Sequence, residues 1–375
     1  MLADMGAQVT KIEAFRGDPW RITAKGCTGT TDEEMPVFDL YNAGKKSIKL
    51  NIKHPDGMKI LMDMMADADV FITNTRLASL KKLGLDYESV KEKFPRLIYA
   101  SITGYGDKGP DANSPGFDNI AFWTRSGFMI DMAIKSEGSY PVCSPTGAGD
   151  TFTGTVLMGG ILAALYQREK TGKGDFVTAA LQNAGIWMLG GSIIQAQEKY
   201  GAKFPKERYD VSPLATSYKC ADGEWFGITI LEPERYRDVT FEILGIKDEL
   251  NITSYKQMVE RKAEVIAAME RAFMTKPAKE WRKLFKEADI VSGILNHMKD
   301  VSTDESAIAN EFVQEYTCRN GEVCVLPCPP LRMASQPVPK SYSAPFPGED
   351  TVEVLERMGY SAQDIDRLMA DGAVQ

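Results

Sequence analysis

The sequence predicts an α/β fold in which a parallel sheet covered by helices forms a large domain, accompanied by a smaller α+β domain. Short apolar strands alternate with amphipathic helices between residues 9 and 105, which is typical of a parallel sheet covered by helices. The chain has 375 residues, more than one ordinary core accommodates, so two domains are expected. Near residue 212 the pattern changes to a strand, a turn and a second strand, followed by charged helices.

Apolar periodicity places the elements of the large domain. The predicted strands, which are short and apolar, cover residues 9–12, 47–51, 70–73, 97–102 and 175–179. The predicted helices, which are amphipathic or rich in small residues, cover residues 55–65, 77–83, 87–93, 151–168 and 182–199. Pro55 suits a first helical position, and the glycines of 171–174 end the fourth helix.

The rest of the chain predicts a second domain, a linker and a final pair of helices. Strands are predicted at 216–219 and 225–229, and a proline-rich linker covers 326–347. A final helix pair follows, with Asp350 as its predicted cap and Glu353 three residues on. The predicted segments are 1–200 (large domain), 201–320 (linker and small domain) and 321–375 (linker and final helices).

The N-terminal residues have the pattern of a helix end. Gly6 stands where a helix would close, and the strand 9–12 follows. A helix end needs earlier structure to pack on, so we expect the chain to begin partway through a structural unit. A short frayed helix is the alternative.

Composition excludes several classes of function. The net charge of -8 argues against a nucleic-acid partner, which would need clustered surplus Lys and Arg. The longest apolar runs, such as 156–165 with Gly159 and Gly160 inside it, are too short to span a bilayer, so no membrane role is expected. Six scattered cysteines without a C-x-x-C pair favour reduced thiols and a cytoplasmic location.

Histidine is nearly absent, since the chain has only His54 and His297. Most catalytic triads and nearly all zinc sites need an imidazole, so we expect no metal site. The glycine-rich fingerprints of nucleotide-binding loops are missing as well.

One glycine-rich stretch leads directly into a helix of small residues. It carries Asp150, preceded by Gly147 and Gly149 and followed by Thr151. An acidic residue at this place can be a simple helix cap. Alternatively, a carboxylate at the positive end of a helix stays ionised and can attack a thioester carbonyl without a general base. Backbone N–H groups of the glycines and the first turn would then hold the oxyanion.

The residues around Asp150 resemble the signature of family III CoA-transferases. The resemblance rests on 149–154, 159–165 and 171–175, and it covers essentially the whole chain, most specifically residues 1–190 and 342–375. It implies that the large domain binds CoA, that Asp150 accepts the acyl group, and that Gly149 and Thr151 support the loop. It further implies that the sheet of the large domain is doubly wound, that residues 321–375 return to this domain after the linker, and that the N-terminal strand of the sheet is missing from this chain. A homodimer whose two chains form interlocked rings is also implied.

In that family the aspartate attacks an acyl-CoA to give a mixed anhydride, which free CoA converts into an aspartyl-CoA thioester, and an incoming carboxylate reverses the sequence. Acyl-CoA and a carboxylic acid are thus the implied substrates, with no permanently bound cofactor. The resemblance places the nucleotide end of CoA near Asn74, Thr75, Arg76, Lys82 and Thr103, although the family more often has Arg-Pro-Gly after an aromatic residue, and an Arg at position 82.

Phe117 and Asp118 are implied to line the substrate pocket. Racemases of the family carry a His beside an Asp there, so Phe117 favours transfer over racemisation. Asp118 can also be a hydrogen-bonding residue at a strand end. The loop 73–76 and the stretches 104–110 and 115–118 are similar to the branch acting on 2-hydroxy acids and their enoates, such as aryllactates and arylacrylates, in amino-acid fermentation. A racemase or an inactive CoA-ester-binding paralogue is the alternative.

Overall fold

The computed structural model describes residues 1–135, 138, 140–335 and 342–375. The chain divides into two compact units. The large unit comprises residues 1–122, 147–184 and 299–375, and the small unit comprises residues 123–146 and 185–298. The segment ranges predicted from the sequence, with breaks after residues 200 and 320, stay predictions.

The described residues form ten strands and seventeen α-helices. The strands are β1 (Val9–Glu13), β2 (Lys45–Lys49), β3 (Val70–Thr73), β4 (Ile98–Thr103), β5 (Phe176–Ala180), β6 (Ala215–Lys219), β7 (Trp225–Thr229), β8 (Ser292–Ile294), β9 (Val313–Thr317) and β10 (Val323–Pro327). The helices are α1 (Pro19–Thr28), α2 (Pro36–Asn42), α3 (Pro55–Asp67), α4 (Leu77–Leu83), α5 (Tyr87–Val90), α6 (Phe128–Asp131), α7 (Ala148–Thr171), α8 (Leu181–Met188), α9 (Gly190–Gln195), α10 (Pro233–Leu244), α11 (Lys247–Leu250), α12 (Tyr255–Glu260), α13 (Lys262–Phe273), α14 (Ala278–Glu287), α15 (Glu305–Ala309), α16 (Thr351–Arg357) and α17 (Ala362–Ala370).

The large unit is built on parallel strands, as predicted. β3, β4 and β5 form a three-stranded parallel sheet, and β1 and β2 form a separate parallel pair. The expectation of one continuous sheet is therefore wrong for the hydrogen-bonded ladders. An antiparallel pair of β9 and β10 completes the strands of this unit.

Successive side chains of each strand point to opposite faces of the three-stranded sheet, and helices cover both faces. Phe71, Tyr99 and Phe176 lie on one face, within a core to which α3 and the C-terminal helices α16 and α17 contribute. Val70, Ala100 and Val177 lie on the other face, against α7. A parallel strand buried on both sides reads as the short apolar run that the sequence shows.

The small unit has an antiparallel sheet of β6, β7 and β8. Its core is rich in aromatic residues: Phe273 stacks on Tyr218 at 4.8 Å between ring centroids and meets Trp281 edge-on at 5.4 Å. The buried indole N–H of Trp281 donates to the Phe273 carbonyl oxygen at 2.9 Å. Strand and helix thus share one closely packed core.

Local predictions differ from the structure at several ends. The predicted helix 182–199 is two helices, α8 and α9, separated at Leu189, before a Gly-Gly pair of low helix propensity. Asp350 does precede α16, but its side chain accepts from the Ser47 amide at 2.8 Å, so it does not cap the helix. Glu353 pairs with Lys46, so the predicted capping pair is wrong. A long-range contact replaced the local one.

Two predicted segments have a mixed outcome. The N-terminal residues form a short 3-10 helix, Ala3–Met5, closed by Gly6 at φ 95°, and Leu2 packs against the α7 face of the sheet. The proline-rich linker 326–347 overlaps β10 at its start, and its residues 336–341 lie outside the described residues.

Helix α7 is longer than the sequence indicated, with 24 residues and a mean hydropathy of 1.3 in its most apolar window. By length and composition alone it could cross a membrane, so the apolar run is not too short on that criterion. Its buried residues, including Leu157 and Ile161, pack on the parallel sheet, and Arg168 pairs with Asp69. Within this fold α7 is a helix that covers a sheet.

Candidate active site

The candidate site lies at the carboxyl edge of the parallel sheet. Strands β3, β4 and β5 run in the same direction, so their C-terminal loops gather at one edge. Helix α7 leads into β5 and packs on β4 and β5, which brings its N-terminus to that same edge. A Cβ built on Gly104, after β4, would lie 3.0 Å from the Cα of Gly116, so the loop that precedes Asp118 is close by.

Asp150 is the third residue of α7, whose N-cap is Gly147 at φ 70°. The helix begins three residues earlier than predicted, so Asp150 stands inside the first turn. Thr151 is fixed in this turn, since its amide and its hydroxyl both donate to the Gly147 carbonyl at 2.9 Å. A carboxylate in the first turn benefits from the positive end of the helix.

The buried carboxylate of Asp118 fixes this turn through hydrogen bonds with its backbone. Oδ1 accepts from the Asp150 amide at 2.9 Å, and Oδ2 accepts from the Gly147 amide at 3.1 Å. The sequence suggested that these two backbone amides bind an oxyanion. In the structure both of them donate to the carboxylate of Asp118 instead. Asp118 fixes the backbone of the proposed nucleophile, and it comes from a π-helical segment, Asp118–Thr124, 32 residues earlier.

The surroundings of Asp150 make its carboxylate more basic than usual. Removal of water by neighbouring groups, and secondarily the negative charge of Asp118, raise the pKa of Asp150 to about 6. Its side chain nevertheless remains exposed, so a substrate can reach it. At pH 7 roughly nine-tenths of such a group is ionised, which suits a nucleophile that has no general base.

Gly149 is needed because the helix and the Asp118 segment approach closely. A Cβ built at this position would lie 2.3 Å from Oδ1 of Asp118 and 2.5 Å from Cγ of Phe122. No side chain fits there without moving the carboxylate. The glycine that the sequence marked as loop support therefore permits the contact between Asp118 and the first turn of α7.

Two aromatic side chains that sequence reasoning missed lie beside this turn. Oη of Tyr41 is 3.3 Å from Oγ1 of Thr151. Trp20 meets Tyr41 edge-on at 6.4 Å between ring centroids, and its Cη2 is 3.9 Å from a Cβ built on Gly147. The residues are 110 or more positions from Thr151, so no local pattern could have identified them.

The residues predicted to bind the nucleotide end of CoA are partly gathered at the same edge. Asn74, Thr75 and Arg76 are exposed in the loop after β3, and Arg76 reaches the Asn113 carbonyl at 3.5 Å. Thr103 ends β4, and its hydroxyl accepts from the Gly106 amide at 2.9 Å. Lys82 is exposed in the last turn of α4.

Phe117 and Asp118 have opposite environments although they are neighbours. The side chain of Phe117 is 79% exposed, whereas Asp118 is 8% exposed. Asp118 therefore hydrogen-bonds to backbone amides inside the protein in this structure. Of the two residues, Phe117 is the one that presents its side chain to solvent.

Among the described residues, no group of three His, Cys, Asp or Glu side chains is arranged to hold a metal ion.

Comparison with known proteins gives a consistent answer over nearly the whole chain. A family model described as CoA-transferase family III matches residues 1–351. The chain is similar to (R)-2-hydroxy-4-methylpentanoate CoA-transferase of Clostridioides difficile, with 34% identity over 371 residues, covering 98% of this chain and 92% of the relative. It is 38% identical over 376 residues to cinnamoyl-CoA:phenyllactate CoA-transferase of Clostridium sporogenes, covering 98% and 91%.

A solved structure extends the likeness to the fold. The crystal structure of a CAIB/BAIF family protein from Brucella suis matches with a TM-score of 0.77 at 25% identity, covering 95% of this chain and 93% of the other. The family model spans both the Asp118 segment and the first turn of α7. From the matched length and the level of identity, we conclude that this chain belongs to CoA-transferase family III and is a CoA-transferase of that family.

Proposed function

We propose that the protein moves CoA between an acyl-CoA and a 2-hydroxy acid or its enoate, with Asp150 as the covalent nucleophile. The observation that carries this is the placement of Asp150: an exposed carboxylate of raised pKa in the first turn of α7. The backbone of that turn is held by Asp118 and Thr151. Such a group can attack a thioester without a proton-abstracting partner.

The reaction proceeds through four balanced exchanges at carbonyl carbons. An Asp150 oxygen attacks the thioester carbon, the C–S bond breaks, and CoA leaves as a thiolate while a mixed anhydride forms. The thiolate attacks the aspartyl carbonyl and releases the first acid as its carboxylate, which leaves an aspartyl-CoA thioester. The second acid attacks this thioester and expels the thiolate. The thiolate then attacks the new acyl carbonyl, which frees Asp150 and forms the product.

The loop after β3 supports the proposed binding of the nucleotide end of CoA. Asn74, Thr75 and Arg76 present two polar side chains and a guanidinium at the edge where Asp150 lies. Arginine is suited to phosphate through its planar array of donors. Lys82 adds an exposed positive charge in α4, the helix that follows this loop. Thr103 accepts a hydrogen bond from the Gly106 amide and thereby fixes the loop after β4. We propose that these residues hold the nucleotide while pantetheine extends toward Asp150.

The acid side of the reaction is inferred from the two relatives. Their names specify a branched 2-hydroxy acid and phenyllactate, respectively. Both acids carry a 2-hydroxyl group next to the carboxylate and a bulky apolar side chain. We therefore propose an acid of this class for this chain, and amino-acid fermentation as its setting.

We further propose that the protein is a homodimer. The face of α7 turned away from the sheet exposes apolar side chains, among them Val156, Leu162 and Tyr166. Exposed apolar side chains that share one helix favour an interaction surface there. A second copy of the chain is the proposed partner, and light scattering after size-exclusion chromatography would measure the mass.

Six free cysteines are compatible with the proposed cytoplasmic location.

The decisive experiment replaces Asp150 with Ala. We expect transfer to be lost by at least ~10⁴-fold while the protein stays folded, because the covalent route disappears. The matched control is Glu169→Ala, which removes an exposed carboxylate from the last turns of the same helix and should leave transfer unchanged. The readout is the formation of new CoA esters, measured by mass spectrometry.

Trapping tests the covalent step directly. Hydroxylamine added during turnover should convert Asp150 into its hydroxamate, found by peptide mapping. Turnover that continues in Asp150→Ala, or a hydroxamate on another residue, would contradict the mechanism. Uptake of solvent deuterium at the α-carbon without exchange of CoA would indicate a racemase, and binding of CoA esters without either reaction would indicate an inactive paralogue.

A further inference from the structure

Trp20 and Tyr41 stand beside the proposed nucleophile but have no part in the chemistry described above. Tyr41 lies at the end of α2 with 38% of its surface exposed, and its hydroxyl is 3.3 Å from that of Thr151, the residue next to Asp150. Trp20 lies in the first turn of α1, half-buried, and its Cη2 lies 3.9 Å from a Cβ built on Gly147. Together the two rings border one side of the turn that carries Asp150.

Local contacts hold the Trp20 ring in place. Asp18 caps α1, and its Oδ1 accepts from the Trp20 amide at 2.8 Å. Its Oδ2 accepts from Lys11 at 2.5 Å. The ring packs with one side on the small apolar cluster that includes Ala24 and Phe38. A ring fixed in this manner loses little freedom when a ligand packs against it.

The α2 helix that carries Tyr41 is fixed through a buried ion pair. Arg21 is bound by Glu13 at 2.6 Å, and its guanidinium lies 4.1 Å from the centre of the Phe38 ring. Phe38 precedes Tyr41 by three positions, so both lie on neighbouring turns of the same helix. Trp20 and Tyr41 therefore come from two helices, α1 and α2, that are joined by the contact between Arg21 and Phe38.

We propose that Trp20 and Tyr41 form the subsite that holds the side chain of the acyl group, and that this subsite selects acids carrying an aromatic ring. The inference rests on the proposed function, because it assigns a role within that reaction. An aromatic ligand ring can meet Trp20 and Tyr41 edge-to-face or offset, as they already meet each other. An acid bound there has its carboxylate beside the first turn of α7, next to Asp150.

The chemistry of the subsite distinguishes an aryl side chain from a saturated ring of equal bulk. Contacts between aromatic rings add roughly 0.5–1.5 kcal/mol beyond the burial of apolar area. This corresponds to a preference of about 2- to 10-fold in kcat/KM for 3-phenyllactate over 3-cyclohexyllactate. Lactate, which has only a methyl group, would gain nothing from the rings and serves as the small reference acid.

The experiment measures kcat/KM for these three acids with an acyl-CoA donor, using the whole 375-residue chain. Trp20→Ala should lower kcat/KM for phenyllactate by ~10- to 100-fold, mainly through KM, and should abolish the preference over cyclohexyllactate. Its value for lactate should change by less than about threefold. Tyr41→Phe keeps the ring and should retain the preference, whereas Tyr41→Ala should reduce it.

The matched control is Ile22→Ala, on the same helix two positions after Trp20. Ile22 is 74% exposed and points about 200° away around the helix, so its truncation should leave all three values unchanged. Thermal unfolding of each variant would show that the fold is retained.

Two outcomes would overturn the subsite. An equal loss for all three acids in Trp20→Ala would mean that Trp20 only supports the Gly147 loop, and no loss for any acid would mean that the ring does not touch the substrate. Failure of the wild-type protein to transfer CoA to any acid is a different result, because it would contradict the proposed function itself.

Discussion

The two ends of helix α7 are built on opposite principles. At the C-terminal end, Arg168 pairs with Asp69 at 2.7 Å and donates to the Arg96 carbonyl at 3.2 Å, and Gly172 at φ 69° closes the helix. At the N-terminal end, two carboxylates of like charge, Asp118 and Asp150, lie close together. One end joins opposite charges, and the other brings equal charges together.

The arrangement at the C-terminal end of α7 favours the folded state, whereas the arrangement at the N-terminal end lowers stability and favours the proposed reaction. A cation at the negative end of a helix and an ion pair with the neighbouring loop both favour the folded state. At the other end burial and, secondarily, the like charge of Asp118 raise the pKa of Asp150, which makes its carboxylate more nucleophilic at the expense of stability. Changes at the N-terminal end should therefore affect activity first, and changes at the C-terminal end should affect stability alone.

Among the changes that test the contrast between the two ends of α7, the largest effect is expected for Gly149→Ala, which should damage both properties. The added Cβ would overlap Asp118 and Phe122, so the first turn must move. We expect a loss of ~1–3 kcal/mol in the free energy of unfolding and a fall of ~100-fold in transfer. Gly154→Ala, one turn on, is the control, because its Cβ meets nothing within 4 Å and alanine favours a helix. Equal behaviour of the two variants would contradict the packing argument.

Arg168→Ala is expected to act on stability alone. The change removes the pairing with Asp69 and the bond to the Arg96 carbonyl, so the free energy of unfolding should fall by ~2 kcal/mol. Transfer per folded molecule should stay at the wild-type level. Lys170→Ala, an exposed cation two positions on, should change the free energy of unfolding by less than ~0.5 kcal/mol. A clear loss of activity in Arg168→Ala would break the division between the two ends.

The pH dependence of transfer should reveal the like-charged pair. Protonated Asp150 cannot attack, so the rate should fall about tenfold per pH unit below the pKa of about 6. In Asp118→Asn the second negative charge is gone, so the pKa of Asp150 should fall and the midpoint should move to lower pH. The measurement is the pH profile of kcat/KM in both proteins, which reports the free enzyme. An unchanged midpoint would mean that Asp118 does not act on Asp150 by its charge.

The smallest effect concerns the stability of Asp150→Asn. The carboxyl titrates near 3.8 in an unfolded chain and near 6 in the folded protein, so its contribution to stability is present below pH 3.8 and is lost as pH rises through 6. At pH 7 the variant should therefore be more stable than the wild type, by about 1 kcal/mol or less because the side chain is exposed. Denaturant unfolding at pH 7 and pH 4 should show the gain at the higher pH and little at the lower. A loss at pH 7 would mean that the attraction to the helix end outweighs the repulsion.

Sequence reasoning was strongest where a single segment decides the outcome. Strand β3 was predicted at its observed bounds, and β1 and β4 within one residue, because β3 and β4 are short apolar runs and β1 alternates apolar with polar side chains. It was weakest at the ends of elements. Asp350 looked like a helix cap from its spacing to Glu353, yet Ser47, 303 residues away, holds its carboxylate. Local spacing cannot reveal a competing partner that the fold supplies.

The sequence by itself determined the class of fold, the family and the identity of the proposed nucleophile, since these depend on periodicity and on a contiguous motif around Asp150. Only the tertiary structure decided what surrounds that carboxylate. It placed Asp118 beneath the first turn and the rings of Trp20 and Tyr41 beside it. The physical reason is that the reactivity of a carboxylate and the shape of its pocket arise from charges and surfaces within a few ångströms, and the chain brings these together from segments 32 to more than 100 residues apart.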